Sequence, residues 1–158
     1  VTGVKKIIEV PKRRPLAFDL FVNRLNDWWP ADYTWSGDTL VDIGIDARVG
    51  GLCTEYGPFG FRCDWGRVLQ LITAEKLVFL WQIGPARVPE PDPDKASVVS
   101  VLFYDMNHGT TGMELLHSGF ENHGEGAAAY VRAMDSARGW EYILGLFVRY
   151  ANAYAPPV

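Results

Sequence analysis

The stretch from Gly139 to Tyr154, GWEYILGLFVRYANAY, constrains the fold more than any other part of this chain. Trp140, Ile143, Leu144, Phe147, Ala151 and Tyr154 recur at three- and four-residue steps, while Glu141, Gly145, Arg149 and Asn152 fall on the opposite side. The spacing predicts an amphipathic helix of about four turns, ended by Pro156-Pro157, with Arg149 near the C-terminus where a cation suits the helix dipole. Such a face needs a broad apolar surface to lie on. Most of the preceding chain reads as short alternating strands, so the economical arrangement is one antiparallel sheet wrapped around this helix.

Those strands can be placed in order. Val4 to Val10 has the β-branched content of a strand, which Pro11 ends. Pro15 then occupies a first helical position, and Phe18, Phe21, Val22 and Leu25 follow at helical spacing, giving a helix near Leu16 to Leu25. Trp28-Trp29-Pro30 forms a short turn or helical hook whose two indoles are expected to plug the open end of the sheet, with direct ligand contact as the alternative. Val41, Ile43 and Ile45 alternate with Asp42, Gly44 and Asp46 as a half-buried strand. If Gly57-Pro58-Phe59 is the loop of the next hairpin, Cys53 faces Cys63 and Glu55 faces Phe61. We expect those thiols to be reduced neighbours, and neither CxxC nor HxxxH spacing offers a metal site.

Asp64 to Ile72 and Leu77 to Ile83 are two further strands, with Gly66 marking a bend or a close backbone approach. Gly84 to Lys95 holds four prolines among charges, and it reads as a long, mobile excursion. Val98 to Asp105 and Thr110 to His117 form the last hairpin, turned at Asn107-His108-Gly109, and Ala127 to Met134 suits a short helix before the long one. In this phase Val98, Leu102, Tyr104 and Leu116 point away from the helix. That apolar set is larger than a solvated face carries, and a two-fold homodimer through the outer sheet face is the expected cover.

Length and charge narrow the function classes. With 158 residues the chain forms a single domain, 1–158, that buries about 68–70% of its unfolded surface without staples. The net charge of −4, with no basic run, argues against a nucleic-acid partner. No apolar run is long enough to span a bilayer and no cleavable signal pattern opens the sequence, so a cytoplasmic location is expected. Aromatics make up 13% of the chain, and rings in that number fill a thick core or line a cavity.

Trp28-Trp29-Pro30, Gly50-Gly51, Trp65-Gly66-x-Val68, Leu77-x-Phe79-x-Trp81, Gly109-Thr110 and His117-Ser118-Gly119-Phe120, with Gly139-Trp140 opening the last helix, occur in the order seen in one family. In this the chain resembles the homologues of the heat-shock-protein-90 ATPase activator, within the START and birch-pollen-allergen-like (SRPBCC) superfamily. The resemblance implies an α+β helix-grip fold, in which a curved antiparallel sheet of six or seven strands grips the C-terminal helix around a cavity. It supplies no shared catalytic set, and fold does not fix function.

A small, mainly apolar ligand is therefore expected in an enclosed space shared by Trp65, Trp81, Val101, Phe103, Met113, His117, Ile143 and Phe147. His117 points inward, yet no acid–base partner is apparent for it, so it reads as a satisfied core histidine rather than a catalytic one. His108, His117 and His123 lack metal spacing, no nucleotide or hydrolase motif is present, and Asp42, Asp46 and Glu114 fall on the outward phase. No cofactor, metal or catalytic residue is assigned. A lyase, cyclase or hydrolase using the same cavity is the alternative. A chaperone partner is a weaker one, because the sequence begins at the first strand without the activator's additional N-terminal domain.

Overall fold

The computed structural model describes residues 2–157 and shows one seven-stranded antiparallel sheet gripping a long helix. The strands are β1 (Val4–Val10), β2 (Asp42–Ile45), β3 (Leu52–Tyr56), β4 (Arg62–Ile72), β5 (Lys76–Trp81), β6 (Ser97–Asp105) and β7 (Thr111–Ser118), in the spatial order β1-β7-β6-β5-β4-β3-β2. The helices are α1 (Arg14–Asn23), α2 (Leu25–Trp28), α3 (Ala127–Asp135) and α4 (Trp140–Ala153). Strands β1 and β2 are consecutive in sequence but form opposite edges, so α1 and α2 must cross the concave side of the sheet between them. This crossing decides where the interior is filled.

Helix α4 buries the face its spacing foretold: Trp140, Ile143, Leu144, Phe147 and Ala151 are all buried. Large apolar side chains contribute about 1.5–3 kcal/mol each when fully buried, enough to hold a helix with no side-chain N-cap. Gly139 separates α3 from α4. A Cβ there would overlap the backbone carbonyls of Ala133 and Met134, so only glycine lets the two helices meet at this angle. Lys6 of β1 reaches Asp135 at 2.9 Å and Glu141 at 3.4 Å, tying the edge strand to both helices.

Strand β4 carries two register shifts, one opposite Cys53/Thr54 and one between Val68 and Gln70. At the first, Cys53 pairs with Gly66 and Thr54 with Asp64, which leaves Trp65 as the extra residue. Gly66 is the close approach its position suggested, since a Cβ there would meet the Leu80 carbonyl oxygen at 2.7 Å. The β3–β4 loop is longer than expected, because Pro58–Gly60 adopts a 3-10 turn closed by the bond from the Gly57 N–H to the Phe61 carbonyl. The register is corrected accordingly: Glu55, not Cys53, faces Cys63. Both cysteines are free and buried.

On the outer face, Leu102, Tyr104 and Leu116 are 39%, 37% and 42% exposed in the single chain, and Ile7 on β1 is 62% exposed. Lys5 and Glu114 pair across that face at 3.2 Å. No helix among the described residues is long and apolar enough to cross a membrane.

Candidate functional site

The interior of the grip divides in two. One half is solid. Phe18 and Phe21 of α1 project into the sheet, where Phe18 meets Phe103 at 5.2 Å and Phe21 meets Phe147 at 5.1 Å between ring centroids. Trp28 completes this cluster 5.0 Å from Phe147, with its Nε1 donating to the Leu20 carbonyl at 3.1 Å. Val101, Phe103, Met113 and Phe147 are buried in this packed region and are not among the residues that line the chamber described next.

The other half is open. A chamber of about 590 Å³ lies between the sheet wall formed by Ile43, Glu55, Trp65 and Trp81 and the α3–α4 junction, where Met134, Gly139 and Ile143 face it. Trp65, Trp81 and Ile143 are thus the expected residues that the structure brings to the lining of this chamber. Trp29, Tyr33 and Trp35 close the side between α2 and β2, and Ile83 with Arg87 closes the far side. The neighbouring indoles at 28 and 29 therefore do different work: Trp28 is core, whereas Trp29 stacks on Trp65 at 5.6 Å as part of the chamber lining.

The proline-rich segment is no loose excursion. Gln82 Nε2 donates to the Glu90 carbonyl at 3.1 Å, Ile83 bridges to Pro89, and Trp35 Nε1 donates to the Arg87 carbonyl at 2.9 Å. The Arg87 guanidinium lies 4.5 Å from the centre of the Tyr130 ring. Tyr130 in turn accepts from Trp81 Nε1 and donates to the Ile83 carbonyl, each at 2.7 Å, and burial pushes its phenol up to about 12. A folded flap anchored at both sides thus forms one edge of the mouth.

His117 lies outside the chamber and is fully buried. Its Nδ1 accepts from Trp140 Nε1 at 3.0 Å, and its Nε2 is 2.7 Å from Ser97 Oγ, which is also 2.7 Å from His123 Nε2. Both ring nitrogens are therefore engaged within the protein. Burial, then the neighbouring His123, holds the imidazole down to about 3.

Glu55 is the residue that sequence reasoning missed. It is fully buried on the inward face of β3 and lines the chamber, where it accepts from the Ser36 N–H at 2.8 Å, the Ser36 hydroxyl at 2.7 Å and the Trp35 N–H at 3.2 Å. Its alternation with Cys53 was the available signal, hidden by the misplaced hairpin register. No group of His, Cys, Asp and Glu among the described residues is arranged to hold a metal ion.

A helix-grip protein with one aromatic-walled chamber is the class that this architecture defines. No family model matches the chain, and no curated protein matches it in sequence. Among solved structures it is similar to one described as an anthrahydroquino-gamma-pyrone synthase, at 28% identity over 94% of this chain and 96% of that one, with a TM-score of 0.67. It is also similar to a self-sacrificing resistance protein, CalC, from Micromonospora echinospora, at 23% identity over 95% and 94% of the two chains, TM-score 0.65. A protein from the dynemicin biosynthetic locus aligns at 15% identity, covering 97% of this chain and 48% of that chain, TM-score 0.62. The α+β helix-grip fold is the part of the expected kinship that these likenesses carry. The narrower link to ATPase-activator homologues has no such finding behind it.

Proposed function

We propose that this chain binds a small, flat, mainly apolar molecule in the chamber beside the α3–α4 junction. The observation that carries the reading is the chamber itself. It holds about 590 Å³, inside the range of about 300–1,000 Å³ typical of small-molecule sites, in a protein whose other half is tightly filled by rings. Four indoles, those of Trp29, Trp35, Trp65 and Trp81, face it, and flat apolar walls suit flat apolar ligands. The likeness to a synthase named for a fused-ring product gives independent support.

The test is uptake of 1-anilinonaphthalene-8-sulfonate, followed by quenching of indole emission. At about −0.3 kcal/mol per heavy atom, the expected dissociation constant is on the order of tens of micromolar. Ala133→Trp, which places an indole in the chamber from α3, should abolish uptake and leave cooperative unfolding intact. Absence of quenching in the folded wild-type protein would remove the proposal.

The second reading, a cofactor-independent enzyme, is favoured by one observation, the buried carboxylate of Glu55 on the same wall. A carboxylate within reach of a bound molecule can accept a proton from it, which a cyclase or lyase step requires. Conversion of a bound ligand that Glu55→Gln suppresses without loss of binding would move the assignment there.

A further inference from the structure

The outer face of the sheet carries a charge pattern that a single chain leaves unused. The strand registers line up Ile7, Glu114, Leu102, Lys76 and Ile72 as one row across β1, β7, β6, β5 and β4. Ile7, Leu102 and Ile72 are exposed on that face, and Glu114 and Lys76 are half-buried there. Outward from Leu102 the row runs charged and then apolar in both directions, and the two charges are opposite in sign. Glu114 and Lys76 stand two strands apart, about 9–10 Å, too far to pair within one chain. Glu114 has Lys5 as its ion-pair partner through Oε1 at 3.2 Å, whereas Lys76 has none among the described residues. The neighbouring row of Leu116, Ser100 and Val78 is balanced about β6 in the same way, with an aliphatic side chain on each side of the serine.

Such a face is complementary to itself. Two sheets packed face to face lie about 10 Å apart with their strands within about 30° of each other. A two-fold axis running between the faces and along β6 lays β7 of one copy over β5 of the other, and β6 over β6. Rotation about that axis leaves the height along the strands unchanged, so the rows meet in register without sliding. Glu114 of each copy then faces Lys76 of the other, Leu102 faces Leu102, and Leu116 faces Val78. An axis across the strands would instead leave each Glu114 on the side of the other copy's Glu114.

We propose that the outer sheet face docks a second copy of this chain about a two-fold axis along β6, with Glu114 of each copy paired to Lys76 of the other across a Leu102–Leu102 contact. Both edge strands, β1 and β2, touch helices on the inner side, so the outer face is convex and the contact is confined to the three central strands. That places it at the small end of specific interfaces, below about 1,200 Å², where association is weak and charge placement selects the orientation.

Sedimentation velocity from about 1 to about 100 µM tests this, the range in which a small interface is half-formed. The unmodified chain should pass from monomer to dimer across that range. Glu114→Lys and Lys76→Glu, each alone, set like charges against each other at both contacts and should weaken the dimer about 100-fold. Mixed in equal amounts, the two variants should associate about as tightly as the unmodified chain, because both contacts again join opposite charges. The double variant should dimerise likewise. Raising the ionic strength from about 0.05 to about 0.5 M should weaken the unmodified dimer several-fold, a readout that needs no variant. A monomer throughout overturns the proposal. A dimer that either single variant leaves intact, or that salt does not weaken, overturns the pairing of Glu114 with Lys76. Single variants that unfold cooperatively in urea yet stay monomeric when mixed overturn the two-fold arrangement.

Discussion

Acid should destabilise this protein through His117. The imidazole is fully buried, its Nδ1 accepts from Trp140, and burial holds it down to about 3, against about 6.5 for an exposed histidine. The unfolded chain takes up a proton near the ordinary value and the folded chain does not. The contribution to stability is therefore complete above about pH 6.5 and is lost as the pH falls from there towards the folded value. Between about pH 7 and about pH 5 the unfolded state gains about 2 kcal/mol from this one side chain, at about 1.4 kcal/mol per pH unit below its own pKa. His123, also lowered mainly by burial, acts in the same direction. Equilibrium urea unfolding at the two pH values, with a shared denaturant slope, measures the loss. His117→Gln should be less stable at neutral pH, yet its stability should change about 2 kcal/mol less between the two conditions. A variant with the same pH dependence as the unmodified protein, within about 0.5 kcal/mol, would refute the reasoning.

Other outcomes follow from particular contacts. Gly139→Ala should cost about 2 kcal/mol or more in urea unfolding, because its Cβ would press on two backbone carbonyls that cannot move without shifting α3; an unchanged midpoint would contradict this. Burial, then the charges of Glu55 and Asp64, pushes the Cys63 thiol up to about 11, and burial with Asp64 raises Cys53 as well. Thiol reagents should therefore react slowly with the folded protein and label both cysteines after denaturation without reductant, whereas a mass lower by two protons would reveal a disulfide. If a second copy covers Leu102, Tyr104 and Leu116, sedimentation should show a dimer at micromolar concentration that Leu116→Glu dissociates. A monomer in both cases would leave that face solvated.

The sequence made the framework legible because the framework is periodic. Residues Val4 to Val10 carry the β-branched content of a strand, Trp140 to Ala151 follow a helical step, and both elements stand where those signals placed them. The site was harder to see because it depends on departures from period. One bulge at Trp65 and one longer turn at Pro58–Gly60 reassign the partners of Cys53 and Glu55, and neither leaves a mark in alternation. The inward phase of Phe103, Met113 and Phe147 was readable, but a phase does not reveal depth. These residues lie where α1 fills the grip, and only the crossing of α1 from one sheet edge to the other determines which half is filled. Charge and proline content suggested an unattached segment at residues 84–95, whereas backbone groups that composition cannot register anchor it to Gln82 and Trp35.

The row of bonds from Trp140 to His123 has a direction. An indole N–H can give a hydrogen but never receive one, so the Nδ1 of His117 must be bare and its proton must sit on Nε2. That proton points at Ser97 Oγ, and the serine's own hydrogen is turned outward to His123 Nε2. The two imidazoles are thereby fixed as opposite tautomers, His117 protonated at Nε2 and His123 at Nδ1, by a tryptophan that touches only the first of them. A proton reaching His123 from solvent meets a hydroxyl already facing it with its hydrogen. Taking up that charge requires Ser97 to rotate away, so the buried indole sets the protonation preference of a histidine at the other end of the row.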